Sequence, residues 1–252
     1  MSQETSVWLN TNTLIGFTDK RGHAWHYRAE NQSDEPNHYP GPVPVADVKR
    51  RLFGWDAQST PAARAVPSHL IPGEPMDGML TDGCPFGWVP NDGEQSIIRS
   101  DTGAKLGTFR DGYQIHQYRE WLLQTVASIL DDSLSIGSAG LLKGGGVAWV
   151  SVEVPENITT PEGVTFRPNL LACTSHDGSL STTCQRVVTN VVCDNTMSAA
   201  LGESGQRLKV RHSGTPRCAW VRPGPRWPWC TIADDFAGGR LPAAGATARK
   251  PR

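Results

Sequence analysis

The sequence predicts an α+β domain: antiparallel β-hairpins forming a sheet with helices packed on one face, after a loop-rich N-terminal region. Two observations carry this. Three pairs of β-prone runs are each separated by a short turn-forming string. Segments with helical apolar spacing lie between and after them, in the order hairpin, helix, hairpin, hairpin, helix. Consecutive hairpins give an antiparallel sheet, and the helices must bury their apolar stripes against it.

Residues 1–95 are expected to be loop-rich with one short helix. Prolines at 36, 40, 42, 44, 61, 67, 72, 75, 85 and 90 break helices and remove ladder donors. The one helix spans Pro44 to Trp55, where Val45, Val48, Leu52 and Phe53 share a face and Gly54 ends it.

The α+β core is expected over 96–213. Ile97–Arg99 and Lys105–Phe109 flank Ser-Asp-Thr-Gly at 100–103, a hairpin turn. A helix follows from Gln117 to Leu130, with Tyr118, Trp121, Leu122, Val126, Ile129 and Leu130 in one stripe. Leu134–Leu142 and Val147–Val154 then flank Lys-Gly-Gly-Gly at 143–146, which lacks phosphate-loop spacing and reads as a hairpin turn. Alternation in the second run puts Ala148, Val150, Val152 and Val154 on a buried side. Val147, Trp149, Ser151 and Glu153 take the other side, and Pro155 ends the strand. Val164–Ser175 and Leu180–Val192 enclose His-Asp-Gly-Ser at 176–179, a third turn. Asp194 or Asn195 caps a last helix through Leu201, stopped by Gly202.

Composition bounds the function classes. The chain has 252 residues, 38% apolar and 19% charged, more apolar than a disordered chain. No apolar run approaches the ~20 residues of a membrane span. The opening MSQETSVWLN lacks a secretory pattern, so a soluble, cytoplasmic protein without membrane partners is expected. Six cysteines (84, 173, 184, 193, 218 and 230) are too sparse for a disulfide scaffold and read as reduced. Net charge is −1 overall, but 213–252 holds seven basic groups against Asp234 and Asp235, a balance of +5 that leaves −6 for residues 1–212. That acidic body speaks against unspecific nucleic-acid binding over its whole surface, though not against a local basic groove.

Several side chains invite a chemical reading. Cys173, His176, Cys184 and Cys193 have zinc-ligand chemistry, but the later cysteines are single and widely spaced, unlike paired ligands, so neither metal nor cofactor is expected. Cys173 with His176 and Asp177 has the residue types of a nucleophilic site. The plainer reading makes the cysteines buried strand residues and Asp177-Gly178 a turn. Trp25-His26, with His23 near, suits either ring stacking or a small satellite core.

Six strings occur in order: Ala24-Trp25-His26, Thr102–Gly107, Gly112–Ile115, Ser175–Ser179, Arg186–Thr196 and Arg211-His212-Ser213. Together they resemble a domain-of-unknown-function family of phage/plasmid-like proteins, domain of unknown function 932, over about residues 20–213. Four residues, Thr189-Asn-Val-Val192, separate Arg186-Val-Val188 from Cys193-x-Asn-Thr196, where the family joins them directly. The resemblance implies a mobile-element protein in a bacterial cytoplasm, near replication and recombination functions. It carries no activity over. The hairpin–helix–hairpin order is also similar to that of single-strand annealing proteins, a likeness of fold alone.

The tail, 214–252, departs from the family, which continues there into an amphipathic helix. Residues 213–252 hold six prolines and five glycines in forty, a composition that resists packing, and 220–229 holds three of the nine tryptophans. Tryptophan has one codon, so Trp227-Pro-Trp-Cys230 is TGG-CCN-TGG-TGY. Read one base earlier, it encodes an apolar type, Ala, an apolar type and Val. The composition favours a frameshift near Pro216, corrected near Cys230, over a disordered Pro/Arg/Trp tail that binds nucleic acid. No functional residue is placed there.

The leading expectation is therefore a protein that binds single-stranded DNA and is not an enzyme, with further copies of itself as another possible partner. Its basic candidates are Lys143, Arg186, Arg207, Lys209 and Arg211, with Trp25 and Trp149 as stacking platforms. The alternatives are a hydrolase-type enzyme using Cys173, His176 and Asp177, and a non-catalytic host-interaction protein.

Overall fold

The computed structural model describes residues 4–32, 34–71, 85–127, 134–154, 157–159, 161–205 and 207–213. They belong to one compact unit, Met1–Gly214. The expectations for the tail, for Cys84, Cys218 and Cys230, and for the end of the helix at 128–130 lie outside the described residues.

The N-terminal part contains more structure than its prolines suggest. Helix α1 (Ser6–Asn12) is capped by the Thr5 hydroxyl, which accepts from the Trp8 amide at 3.1 Å. It leads straight into β1 (Thr13–Ile15). Phe17, at φ 58°, turns the chain into the one-turn α2 (Thr18–Arg21). The helix expected near 44–55 is present as α3 (Val45–Asp47) continued by a π-helical turn, Val48–Leu52, and it buries Val48, Leu52 and Phe53.

Strand β2 (Ala57–Pro67) runs through Pro61, against the expectation that proline ends such elements. Its register against β3 (Phe86–Arg99) shifts between Pro61 and Ala63. β2 also lies at the sheet edge, where a missing N–H costs no ladder bond. The hairpin from β3 to β4 (Lys105–Arg110) is the one read from Ser100–Gly103. A π-helical turn, Arg119–Gln124, and α4 (Thr125–Ala127) follow where the longer helix was expected.

The second expected hairpin is β5 (Ser135–Leu142) and β6 (Val147–Glu153), paired antiparallel. A small ribbon, β7 (Ile158–Thr159) with β8 (Thr165–Phe166), takes up the start of the next expected strand. The third hairpin is β9 (Asn169–Ser175) and β10 (Thr182–Val187). β10 ends before Thr189–Val192, so these four residues lie beyond the strand and leave its register intact. They enter α5 (Asp194–Gly202), capped by Cys193 and by Thr196, whose hydroxyl accepts from the Cys193 amide. β11 (Arg207–Val210) returns beside β10.

The central sheet has six strands in the order β1-β5-β6-β9-β10-β11; β2-β3-β4 form a second sheet. Every pairing between two described strands is antiparallel, with one isolated parallel bridge from Ile15 to His38, so the molecule is α+β. Helical segments cover both faces of the central sheet rather than one. On one face Trp149, Leu171, Cys173 and Val187 pack against Leu9 of α1 and Met197 and Ala200 of α5. On the other, Thr182 bonds His116 and His176 stacks on Tyr118, both at the entry to the π-helical turn. Hence all seven residues of β6 are buried, and the side expected to face outward is not exposed. Among the described residues no helix is long and apolar enough to cross a membrane.

Candidate functional site

The residues expected to stack or react are mostly part of the core. Trp149 is fully buried, its ring over Gly140 and its Nε1 donating to Ser138 Oγ at 3.3 Å. It cannot be a stacking platform, because α1 and α5 cover the strand face that alternation assigned to solvent. Trp25 is 52% exposed and packs edge-on against His26 at 5.5 Å, so it is open to a ring.

Cys173 and His176 do not meet. Strand alternation puts Cys173 on the α5 face, among the core side chains, and His176 on the opposite face. Burial pushes the Cys173 thiol up to about 12, and its Sγ lies 3.7 Å from the Thr183 carbonyl. His176 is fully buried between Tyr118 (4.1 Å, stacked) and Trp55 (6.2 Å, edge-on), with neither ring nitrogen partnered. Burial pulls its pKa down to about 3.

Asp177 points away to Lys143 Nζ at 3.1 Å and accepts from the Ser179 amide at 2.8 Å. Burial raises its pKa, but these bonds outweigh that and hold it below its ordinary value. This is turn chemistry, and no nucleophile–base contact forms. Cys173, Cys184 and Cys193 are free thiols. Among the described residues no three His, Cys, Asp or Glu side chains converge as metal ligands.

Of the basic candidates, the structure brings three together. Arg207, Lys209 and Arg211 are exposed and alternate along β11 and its continuation, an edge of the central sheet. Arg207 and Lys209 stand opposite Gln185 and Thr183, so both side chains rise on the same face. Arg207 also donates to the Leu201 and Glu203 carbonyls at the end of α5. Among the described residues, neither Lys209 nor Arg211 forms an ion pair. Arg186 belongs to the opposite face, half-buried, and burial lowers its pKa. Lys143 is spent on Asp177.

A column of rings, not foreseen from the sequence, fixes the end of this row. Phe109, Tyr113, His212, His116 and Trp121 stack successively at 3.8, 5.0, 4.0 and 3.7 Å. His212 Nδ1 donates to the Gln114 carbonyl at 3.0 Å, which leaves Nε2 to accept from Thr174 Oγ1, also at 3.0 Å. Thr174 and Thr182 share a bond at 2.8 Å, and Thr182 meets His116 Nδ1 at 2.6 Å. Burial lowers the pKa of both histidines, His116 to about 3. Neutral His212 thereby anchors the chain next to Arg211. His212 stands some hundred positions from the other four rings, so no local pattern reveals the column.

These features define an antiparallel α+β protein with a cationic sheet edge, in which Cys173, His176 and Asp177 do not come together. Residues 105–219 match the family model described as Domain of unknown function (DUF932). Four of the six strings lie wholly inside the match; Ala24-Trp25-His26 precedes it. No curated protein and no solved structure matches the chain.

Proposed function

We propose that this protein binds single-stranded nucleic acid without catalysis, in the replication or recombination of a phage- or plasmid-type element in a bacterial cytoplasm. One observation carries the reading: Arg207, Lys209 and Arg211 form an exposed row on a sheet edge. Alternate strand residues are about 6.8 Å apart, comparable with the distance between successive phosphates of an extended single strand. Cations matched to consecutive phosphates displace counterions, which makes such binding salt-dependent.

The test is fluorescence anisotropy of the full chain with labelled single- and double-stranded oligonucleotides over a salt series. Each single-strand phosphate contact contributes about 0.7 to the slope of log affinity against log salt, so Lys209→Ala with Arg211→Ala lowers the slope by about 1.4. An unchanged slope and affinity in the double variant would overturn the assignment.

One observation favours a second reading, a non-catalytic interaction protein. Phe86 and Trp88 are 47% and 53% exposed on the β2–β3 ribbon, opposite Pro67 and Ala65, and form an uncharged apolar face. Trp88→Ala leaving oligonucleotide binding intact would separate that face from the β11 row.

A further inference from the structure

At the end of the central sheet where β6 stops and β9 begins, a cleft of about 360 Å³ opens between α2, the β7–β8 ribbon and the segment after β10. Its walls carry three cations, Lys20, Arg21 and Arg167, and three carboxamides, Asn157, Asn169 and Asn190. Among the described residues lining it, none is acidic. Glu153 provides the local carboxylate, 5% exposed and engaged by both guanidiniums: Arg21 at Oε2 and Arg167 at Oε1. Arg167 is further fixed by Asn157 Oδ1 at 3.2 Å. Lys20 and Arg21 lie over the Phe17 ring, 5.8 and 5.3 Å from its centroid.

This is more positive charge than one carboxylate neutralises. Three cations stand against Glu153 and against Glu203, whose carboxylate holds the Val188 and Thr189 amides beside the cleft, which leaves a balance of +1. Burial and the neighbouring Arg167 charge lower the Arg21 pKa. A single ion pair would need one arginine, and a second plus a lysine is the composition of a phosphate clamp. Two further groups point to a ligand. Asn169 is 3% exposed, and its Oδ1, like that of Asn190, has no hydrogen-bond partner. Both residues line the cleft and present acceptors suited to hydroxyl or amino donors. Phe166 adds a ring to the wall.

We infer that this cleft binds a phosphate monoester carried on a nucleoside. Lys20, Arg21 and Arg167 take the phosphate, which carries a charge of about −1.5 to −2 at neutral pH. Asn169 and Asn190 accept from the nucleoside, and Phe166 packs against its ring. Two sources supply the same chemistry: a free nucleotide, or the 5′-phosphate at the end of a DNA strand. Neither requires the β11 row.

Isothermal titration of the full chain with deoxyadenosine 5′-monophosphate and with deoxyadenosine tests the site. The monophosphate is expected to bind at least about tenfold more tightly, a difference of about 1.4 kcal/mol at the phosphate. Arg21→Gln leaves Glu153 paired to Arg167 and so keeps the fold. Together with Lys20→Gln it is expected to abolish that preference, whereas Lys209→Ala with Arg211→Ala preserves it. Anisotropy with 3′-labelled oligonucleotides bearing a 5′-phosphate or a 5′-hydroxyl then identifies the source. Tighter binding of the phosphorylated strand assigns a strand end, and equal binding assigns a free nucleotide. Equal affinity for monophosphate and nucleoside, or a preference that survives the Lys20/Arg21 variant, overturns the inference without touching the β11 reading.

Discussion

Replacing His176 by phenylalanine should make the protein more resistant to acid, by an amount that depends on pH. His176 is fully buried, stacked 4.1 Å from Tyr118, and both ring nitrogens lack partners. The unfolded chain takes up a proton at this residue near pH 6.5, while burial holds the folded state to about 3. As pH falls between these values, the unfolded state binds a proton the folded state refuses, so stability drops by about 1.4 kcal/mol per pH unit. At about pH 4.5, two units below the unfolded value, His176 alone costs roughly 2.7 kcal/mol, a large share of an ordinary 5–15 kcal/mol stability. Phenylalanine keeps the stacking partners and does not titrate. It also removes the buried orphan donor, worth about 1–3 kcal/mol at any pH. Urea unfolding followed by tryptophan fluorescence at a series of pH values measures the difference. The advantage of His176→Phe should rise by roughly 2.7 kcal/mol between about pH 7.5 and pH 4.5. An advantage that stays constant across that range would refute the reasoning, because it would mean that His176 is protonated in the folded protein.

Two further outcomes test the core. Gly140→Ala places a Cβ 2.2 Å from the Trp149 ring and should destabilise by about 1–3 kcal/mol, read as a lower Tm; an unchanged Tm would mean that the ring does not lie over this glycine. Cys173, with its thiol pushed up to about 12 and buried, should resist iodoacetamide at about pH 8 until the protein is unfolded, as followed by mass spectrometry. Rapid modification in the folded protein would restore the case for a reactive cysteine.

Much of the fold was legible because its signals are local. The turns at Ser100–Gly103, Lys143–Gly146 and His176–Ser179 each sit between runs that pair with one another, and turn chemistry acts within a few residues. Arg207, Lys209 and Arg211 were visible as basic residues, but the strand that sets them in a row, β11, follows the last element that the sequence predicted. β1 was not: three residues show no periodicity, and its partner Gly140 lies far along the chain from Thr13. Pro61 misled because a proline is destructive only where its missing N–H would face a neighbour, and the edge position decides that.

The sequence by itself determined the class of fold and the hairpins with their turns, and it carries the family match over residues 105–219. Only the tertiary structure decided which faces are covered. Alternation showed that Trp149 and Glu153 share a side of β6, but α1 and α5 cover Trp149 there, while Arg21 and Arg167 engage Glu153. The ring column joins Phe109 to His212, and the Glu153 cluster joins Arg21 to Arg167; each side chain is unremarkable among its sequence neighbours. Periodicity reports which residues point the same way, whereas burial, ion pairing and a shifted pKa arise from what distant segments bring against them.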